Sequence, residues 1–199
     1  EAGHEILAQG GNAFDAAIAV SAALAVVEPT SSGLGGGAFW LLHRAEDGFQ
    51  VMVDAREQAP AAAHRDMYLD AEGQVNRDLA VNGPLAGGIP GEAAGLEHLA
   101  QHYGRLPLGI SLQPAIRLAR EGFPVDEKYH EMMGWRIEVI KRWPAAAAAL
   151  LADGENPPVG YVIKLPDLAW VLEHVAERGA AGFYSGSVAE RVVMGVREA

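Results

Sequence analysis

The stretch 10-GGNAFDAAIAVSAALAVVEP-29 decides much of the fold, because it contains a long apolar helix with a clear beginning and end. Asn12 is a strong N-cap, and Asp15 follows three residues later in the first turn, where a carboxylate is favourable. Residues 13–27 are apolar on every side, which is typical of a helix that other layers surround. Pro29 ends the helical pattern. The sequence therefore predicts a helix in the middle of a domain.

A glycine-rich segment follows this helix in 28-EPTSSGLGGGAFW-40, and we call 33-GLGGG-37 the glycine loop. Glycine-rich loops that bind the phosphate of a cofactor follow a strand and open a helix. Here the order is reversed, because a helix precedes the loop and strand-like sequence follows it. We therefore interpret the loop as backbone that passes close to other atoms or takes a positive φ angle.

The hydroxyl residues before the glycine loop are a second candidate for chemistry. Thr30, the only Thr of the chain, is followed by Ser31 and Ser32. The segment lacks the G-x-S-x-G pattern of a nucleophile elbow, and the nearest His, His43, is in strand-like sequence. The residues favour a loop stabilised by its own hydroxyls over a nucleophile with its activating base.

A β-hairpin is predicted next. The segments 38-AFWLLHR-44 and 49-FQVMVDAR-56 have the length and composition of strands, and Asp47-Gly48 between them is a strong hairpin signal. Alternation along the second strand places Val51 and Val53 on one face and residues 52, 54 and 56 on the other.

The end of this hairpin carries the best candidate for a binding residue. In 54-DAREQAP-60, Arg56 follows Asp54 on the same strand face and precedes Glu57. Arg can hold a carboxylate with two parallel hydrogen bonds, so Arg56 is a candidate for binding an acidic ligand. An internal ion pair between Arg56 and Asp54 or Glu57 explains the same spacing, and the residues alone leave both interpretations open.

Composition excludes several classes of function. The formal net charge is −11, from 15 basic and 26 acidic residues, which disfavours nucleic acid and anionic membranes as partners. There is no Cys, so disulfides and Cys-based metal sites are excluded. His98 and His102 are four residues apart in HLAQH, but the Glu of an H-E-x-x-H zinc motif is missing. We expect no metal and no cofactor.

The remaining sequence is mostly helical. Helix and hairpin occupy 1–60, a loop-rich connector 60–90 and a helical block 91–199. Within the block, apolar spacing and Gly or Pro boundaries predict helices at 92–103, 111–121, 126–142, 167–178 and 187–198. These elements predict a single α+β unit.

Six ordered segments together resemble the large subunit of the γ-glutamyltranspeptidases, also called glutathione hydrolases. The segments are 10-GGNAFDAAIAVSAALAVVEP-29, 31-SSGLGGGAF-39, 54-DAREQAP-60, 89-IPGEAAGLEHLAQHYGRLP-107, 114-PAIRLAREGFPV-125 and 166-PDLAWVLEHVAERGAAGFYSG-186. The resemblance covers essentially the whole chain, which is similar to the front third of the family pattern.

The resemblance implies an N-terminal-nucleophile (Ntn) hydrolase fold, an αββα sandwich, made as a precursor that cleaves itself. It implies a small subunit whose N-terminal Thr attacks the γ-glutamyl amide of glutathione or a similar donor, without a cofactor. The Thr-Thr nucleophile motif is absent from these residues, so the chain holds no catalytic residue and is expected to be inactive alone. Family members are often periplasmic or extracellular.

One functional residue carries over from the resemblance. The Arg of the D-x-R-E-x-A-P motif binds the α-carboxylate of the γ-glutamyl group, which implies that role for Arg56, with Asp54 and Glu57 orienting it. Two alternatives remain. The parent protein is a related acylase, acting on cephalosporin or glutaryl amides or processing poly-γ-glutamate, or the isolated chain is a non-catalytic assembly module.

Overall fold

The computed structural model describes residues 1–198. Their helices are α1 (Ala2–Ala8), α2 (Ala13–Val27), α3 (Arg77–Asn82), α4 (Glu92–His102), α5 (Leu108–Glu121), α6 (Glu127–Ile140), α7 (Pro144–Leu150), α8 (Pro166–Arg178), α9 (Ala181–Tyr184) and α10 (Gly186–Glu198). Strands β1 (Ala38–Arg44) and β2 (Phe49–Ala55) form an antiparallel hairpin, and β3 (Phe123–Pro124) pairs antiparallel with β4 (Val162–Ile163). The predicted α+β class and hairpin are confirmed.

The start of α2 is fixed by a fully buried carboxylate. Asn12 and Asp15 form a reciprocal capping box, as their spacing predicted. Asp15 Oδ2 accepts hydrogen bonds from the backbone amides of Asn12 (2.8 Å) and Arg105 (3.0 Å), and Oδ1 accepts from Arg105 (3.1 Å) and Leu106 (3.2 Å). One side chain therefore joins the start of α2 to the turn between α4 and α5.

Helix α2 packs against α1, α4 and α5 and contributes Ile18 and Val26 to the core, where both are fully buried. On its other side Val20 and Leu24 remain 43% and 38% exposed. The expectation that layers surround α2 on all sides is therefore wrong for residues 1–198, because the neighbouring helices cover only part of its surface. Within the same residues, no helix combines the length and apolarity needed to cross a membrane.

Only one face of the hairpin packs against α4. Trp40 and Leu42 point inward and are buried, and Gly95 of α4 has no side chain where the Trp40 ring packs. On the outer face, Leu41 and Met52 stand opposite each other in the register and are 76% and 59% exposed. Alternation along the second strand predicted the two faces of β2, and the inner face of the hairpin positions the end of β2 against the start of α4.

Three short helices lie where the sequence pattern predicts none. α3 lies in the 60–90 connector, where Pro84–Ala86 also forms a 3₁₀ turn, α7 covers the alanine run, and α9 precedes α10. Helices this short are marginal in isolation and depend on tertiary contacts that local sequence does not reveal. For α3, such a contact is the ion pair of Asp78 with Arg142, which lies two residues after the end of α6.

Candidate functional site

The glycine loop lies directly against the end of β2. A methyl group at Gly37 would overlap the carbonyl oxygen of Ala55 and lie 3.0 Å from Arg56 Cα. None of the loop's glycines, all of which are described, has a left-handed φ angle. Of the two reasons for glycine given by the sequence, close approach to neighbouring backbone is therefore the one that applies.

The segment before α4 holds the same strand end from another side. A methyl group at Gly91 would overlap the Ala55 carbonyl oxygen and lie 2.8 Å from the Arg56 carbonyl oxygen. At Gly88 it would lie 2.9 Å from Glu57 Cβ. Residues 55–57, which we call the Arg56 corner, thus lie between two glycine-bearing segments, and side chains in those segments would displace them.

The Arg56 side chain is 65% exposed although an acidic neighbour pairs with it. Arg56 Nε lies 3.3 Å from Glu57 Oε2, an ion pair without hydrogen-bond geometry, and Glu57 Oε2 is otherwise buried without a hydrogen-bond donor among the described residues. Asp54 instead accepts a 2.9 Å hydrogen bond from the Arg56 backbone amide. Asp54 therefore fixes the backbone of the corner, Glu57 contacts the guanidinium, and the charge of Arg56 remains accessible.

Arg56 lines an open cleft of about 580 Å³ between β2, the start of α4 and α9. Gln58, His98, Tyr103 and Tyr184 contribute further polar and aromatic groups to its walls. The Tyr184 hydroxyl donates a 2.8 Å hydrogen bond to the carbonyl oxygen of Pro90, and burial raises its pKa. The cleft therefore presents the exposed cation of Arg56 beside neutral donors and acceptors, together with the carboxylate of Asp54, whose Oδ1 accepts from the Arg56 backbone amide. An exposed guanidinium in such a cleft suits a small ligand that carries a carboxylate.

A buried carboxyl group lies behind the corner. Glu92, the first residue of α4, is only 4% exposed, and its Oε1 accepts a 2.6 Å hydrogen bond from Ser21 Oγ of α2. Burial raises the pKa of Glu92, the negative charge of Glu57 adds to this, and the Ser21 hydrogen bond opposes it. Sequence reasoning missed both Ser21 and Glu92, since only the fold brings α2 and α4 together.

Of the other candidates from the sequence, only His98 shares the lining of the Arg56 cleft. Thr30 lines a separate groove with residues of α6 and α7, including Trp135. The His98 and His102 rings stack with centroids 4.1 Å apart on the exposed face of α4. In the part of the chain that the structure describes, no three or more acidic and His side chains are grouped as metal ligands.

Known proteins are similar to this chain in sequence and in fold. The family model described as Gamma-glutamyltranspeptidase matches residues 1–199. The glutathione hydrolase proenzyme of Escherichia coli is 39% identical over 193 residues, which cover 96% of this chain and 33% of the relative. The γ-glutamyltranspeptidase structure from Helicobacter pylori superposes with a TM-score of 0.95 at 35% identity, over 99% of this chain and 56% of that one.

An acylase is also similar. The cephalosporin acylase structure from Bacillus halodurans superposes with a TM-score of 0.86 at 30% identity, over 99% of this chain and 37% of that one. These likenesses confirm the predicted class, a fragment of the Ntn-hydrolase fold. The chain belongs to the γ-glutamyltranspeptidase family. It spans about a third of the length of the curated relatives it matches.

Proposed function

We propose that this chain is the N-terminal portion of the large subunit of an enzyme that transfers γ-glutamyl groups from glutathione and related amides to water or amines. The observation that carries the proposal is Arg56, an exposed cation at the rim of a cleft, on a backbone that two glycine-bearing segments hold in place. The D-x-R-E-x-A-P motif around it belongs to a chain of the γ-glutamyltranspeptidase family.

In this proposal Arg56 binds the α-carboxylate of the γ-glutamyl donor. A guanidinium can donate two parallel hydrogen bonds to a carboxylate, which fixes the orientation of the donor as well as its position. Glu57 restrains the guanidinium through the ion pair, and Asp54 restrains the Arg56 backbone. The three residues act before the chemical step, by placing the γ-carbonyl group in one orientation.

The nucleophile comes from a small-subunit partner in this proposal. The only Thr of this chain, Thr30, lies in another groove. An N-terminal Thr hydroxyl, deprotonated by its own α-amine, attacks the γ-carbonyl carbon, and the amide nitrogen leaves with a proton. Water or an amine then attacks the resulting γ-glutamyl ester and releases the Thr hydroxyl. None of these steps requires a metal or a cofactor.

The acylase is the second candidate, favoured by the structural likeness to a cephalosporin acylase. The full-length protein that contains this chain should be assayed with γ-glutamyl p-nitroanilide and with glutaryl p-nitroanilide, which lacks only the α-amino group and keeps a carboxylate at the same distance from the amide. We expect turnover of the γ-glutamyl donor and much slower turnover of the glutaryl compound. Turnover of the glutaryl compound alone would replace the proposal with the acylase.

A further inference from the structure

Glu92 lies behind the Arg56 corner and outside the lining of the cleft. We propose that the hydrogen bond between Ser21 and Glu92 makes Glu92 a positioning residue, which sets the place of Arg56 and thereby the affinity for the donor without contacting it. This inference rests on the proposed function, because it concerns the same site. Its basis is a continuous set of contacts that runs from α2 to Arg56.

The first contact joins two helices through buried polar groups. Ser21 Oγ of α2 donates a 2.6 Å hydrogen bond to Glu92 Oε1, and the Glu92 side chain is almost completely buried. A buried carboxylate that loses a hydrogen-bond donor is costly, so its surroundings rearrange to solvate it. The beginning of α4 is therefore held to α2 at this one polar point.

The second contact joins the beginning of α4 to the glycine loop. The backbone amides of Gly91 and Glu92 donate to the carbonyl oxygen of Gly36, at 2.9 and 3.2 Å. Two donors on one acceptor fix the loop relative to the first turn of α4. A displacement of Glu92 is therefore transmitted directly to Gly36.

The third contact joins both segments to the Arg56 corner. Gly37 and Gly91 are each so close to the Ala55 carbonyl group that neither has room for a methyl group. Contacts this close leave no free space in which the loop or α4 could move without moving the corner. The position of the Arg56 backbone therefore depends on the position of Glu92.

Electrostatics favour an indirect role for Glu92. Among the described residues, the acidic ion-pair partner of Arg56 is Glu57, while Oε1 of Glu92 accepts its hydrogen bond from Ser21 of α2. Ser21 thus directs the Glu92 carboxyl group toward α2 and leaves the guanidinium to Glu57 and to the donor. A residue in this position should change the binding of the donor more than the chemical step.

The test uses the full-length protein that contains this chain, with γ-glutamyl p-nitroanilide as the donor. Ser21→Ala removes the hydrogen bond with little change in volume, and we expect KM to rise about five-fold with kcat within about two-fold. Glu92→Ala should raise KM further. Glu92→Gln keeps an oxygen that can accept the hydrogen bond from Ser21, so its KM should stay within about two-fold of the value for the unmodified protein.

Ser111→Ala is the matched control, because the Ser111 hydroxyl is buried in α5 without a hydrogen-bond partner among the described residues. It should leave KM unchanged. An unchanged KM in Ser21→Ala and Glu92→Ala, or the same rise in Ser111→Ala, would overturn the inference. So would a loss of kcat at constant KM, which is what general damage to the fold produces.

Arg56→Ala, measured in parallel, separates the two proposals. If Arg56→Ala raises KM strongly while Ser21→Ala and Glu92→Ala do not, the positioning role fails and the proposed function stands. If Arg56→Ala leaves KM unchanged, the assignment of the donor site fails, and the positioning role fails with it.

Discussion

The guanidinium of Arg56 lies 3.3 Å from the carboxylate of Glu57, yet 65% of the Arg56 side chain is exposed to solvent. An ion pair this exposed contributes at most about 1 kcal/mol to stability. Its main consequence is geometric, because Glu57 limits the orientations of a cation that remains open to the cleft. The backbone contacts of the glycine-bearing segments complete the restraint.

A methyl group in the glycine loop should disturb the Arg56 corner. In Gly37→Ala the new methyl group would overlap the Ala55 carbonyl oxygen, so the strand end must shift, at a cost of about 1–3 kcal/mol. We expect a lower thermal midpoint and a higher KM for a γ-glutamyl donor. Gly35→Ala is the control, because nothing lies within 4 Å of a methyl group there. Equal thermal midpoints and equal KM values of the two variants would contradict the close-approach explanation.

Asp15 should be the most sensitive acidic residue of the fold. In Asp15→Asn an NH₂ group replaces one of two oxygens that both accept backbone hydrogen bonds, so donors face donors in a buried site. We expect a loss of about 2 kcal/mol or more in the free energy of unfolding, measured with urea. Asp70→Asn should change it little, since the exposed Asp70 accepts its two hydrogen bonds with Oδ1 alone.

Stability should depend on pH through Glu92. Burial raises the pKa of Glu92 in the folded protein above its ordinary 4.5, so folding favours the protonated carboxyl group. The resulting contribution to the free energy of unfolding is fully present below pH 4.5 and is lost as pH rises through the folded pKa. The amide side chain introduced by Glu92→Gln is uncharged at every pH. The difference in unfolding free energy, variant minus unmodified protein, should therefore increase from pH 4.5 toward neutrality. A difference that stays constant or decreases over this range would show that the Glu92 charge is not destabilising.

The isolated 199-residue chain should not hydrolyse γ-glutamyl amides. Its only Thr, Thr30, lies in a groove away from Arg56, and the proposed nucleophile belongs to the small subunit. The purified chain should release no p-nitroaniline from γ-glutamyl p-nitroanilide, whereas the full-length protein should. Turnover by the purified chain that matches the full-length protein would require a nucleophile within these residues.

The local parts of the fold followed from the sequence. The capping box of Asn12 with Asp15 and the hairpin turn at Gly48, which has a φ of 69°, depend on residues close together in the chain. The two faces of β2 followed from strand alternation. The short helix α3 did not, because it depends on the contact between Asp78 and Arg142, 64 residues apart.

The candidate site was only partly predictable. Arg56 was identified from its motif, and the proximity of Asp54 and Glu57 from their spacing. Their different contacts could not be predicted: Asp54 accepts from the Arg56 backbone amide, whereas Glu57 pairs with the guanidinium. Glu92 and Ser21, 71 residues apart, meet only because α4 packs against α2.

The central claim is that Arg56 binds the α-carboxylate of the donor. It is tested most directly by comparing Arg56→Ala with the unmodified full-length protein on two donors, γ-glutamyl p-nitroanilide and 4-aminobutanoyl p-nitroanilide, which lacks the α-carboxylate. We expect kcat/KM for the γ-glutamyl donor to fall about 100-fold in the variant, with little change for the other donor. Equal kcat/KM values of the variant and the unmodified protein for the γ-glutamyl donor would contradict the claim.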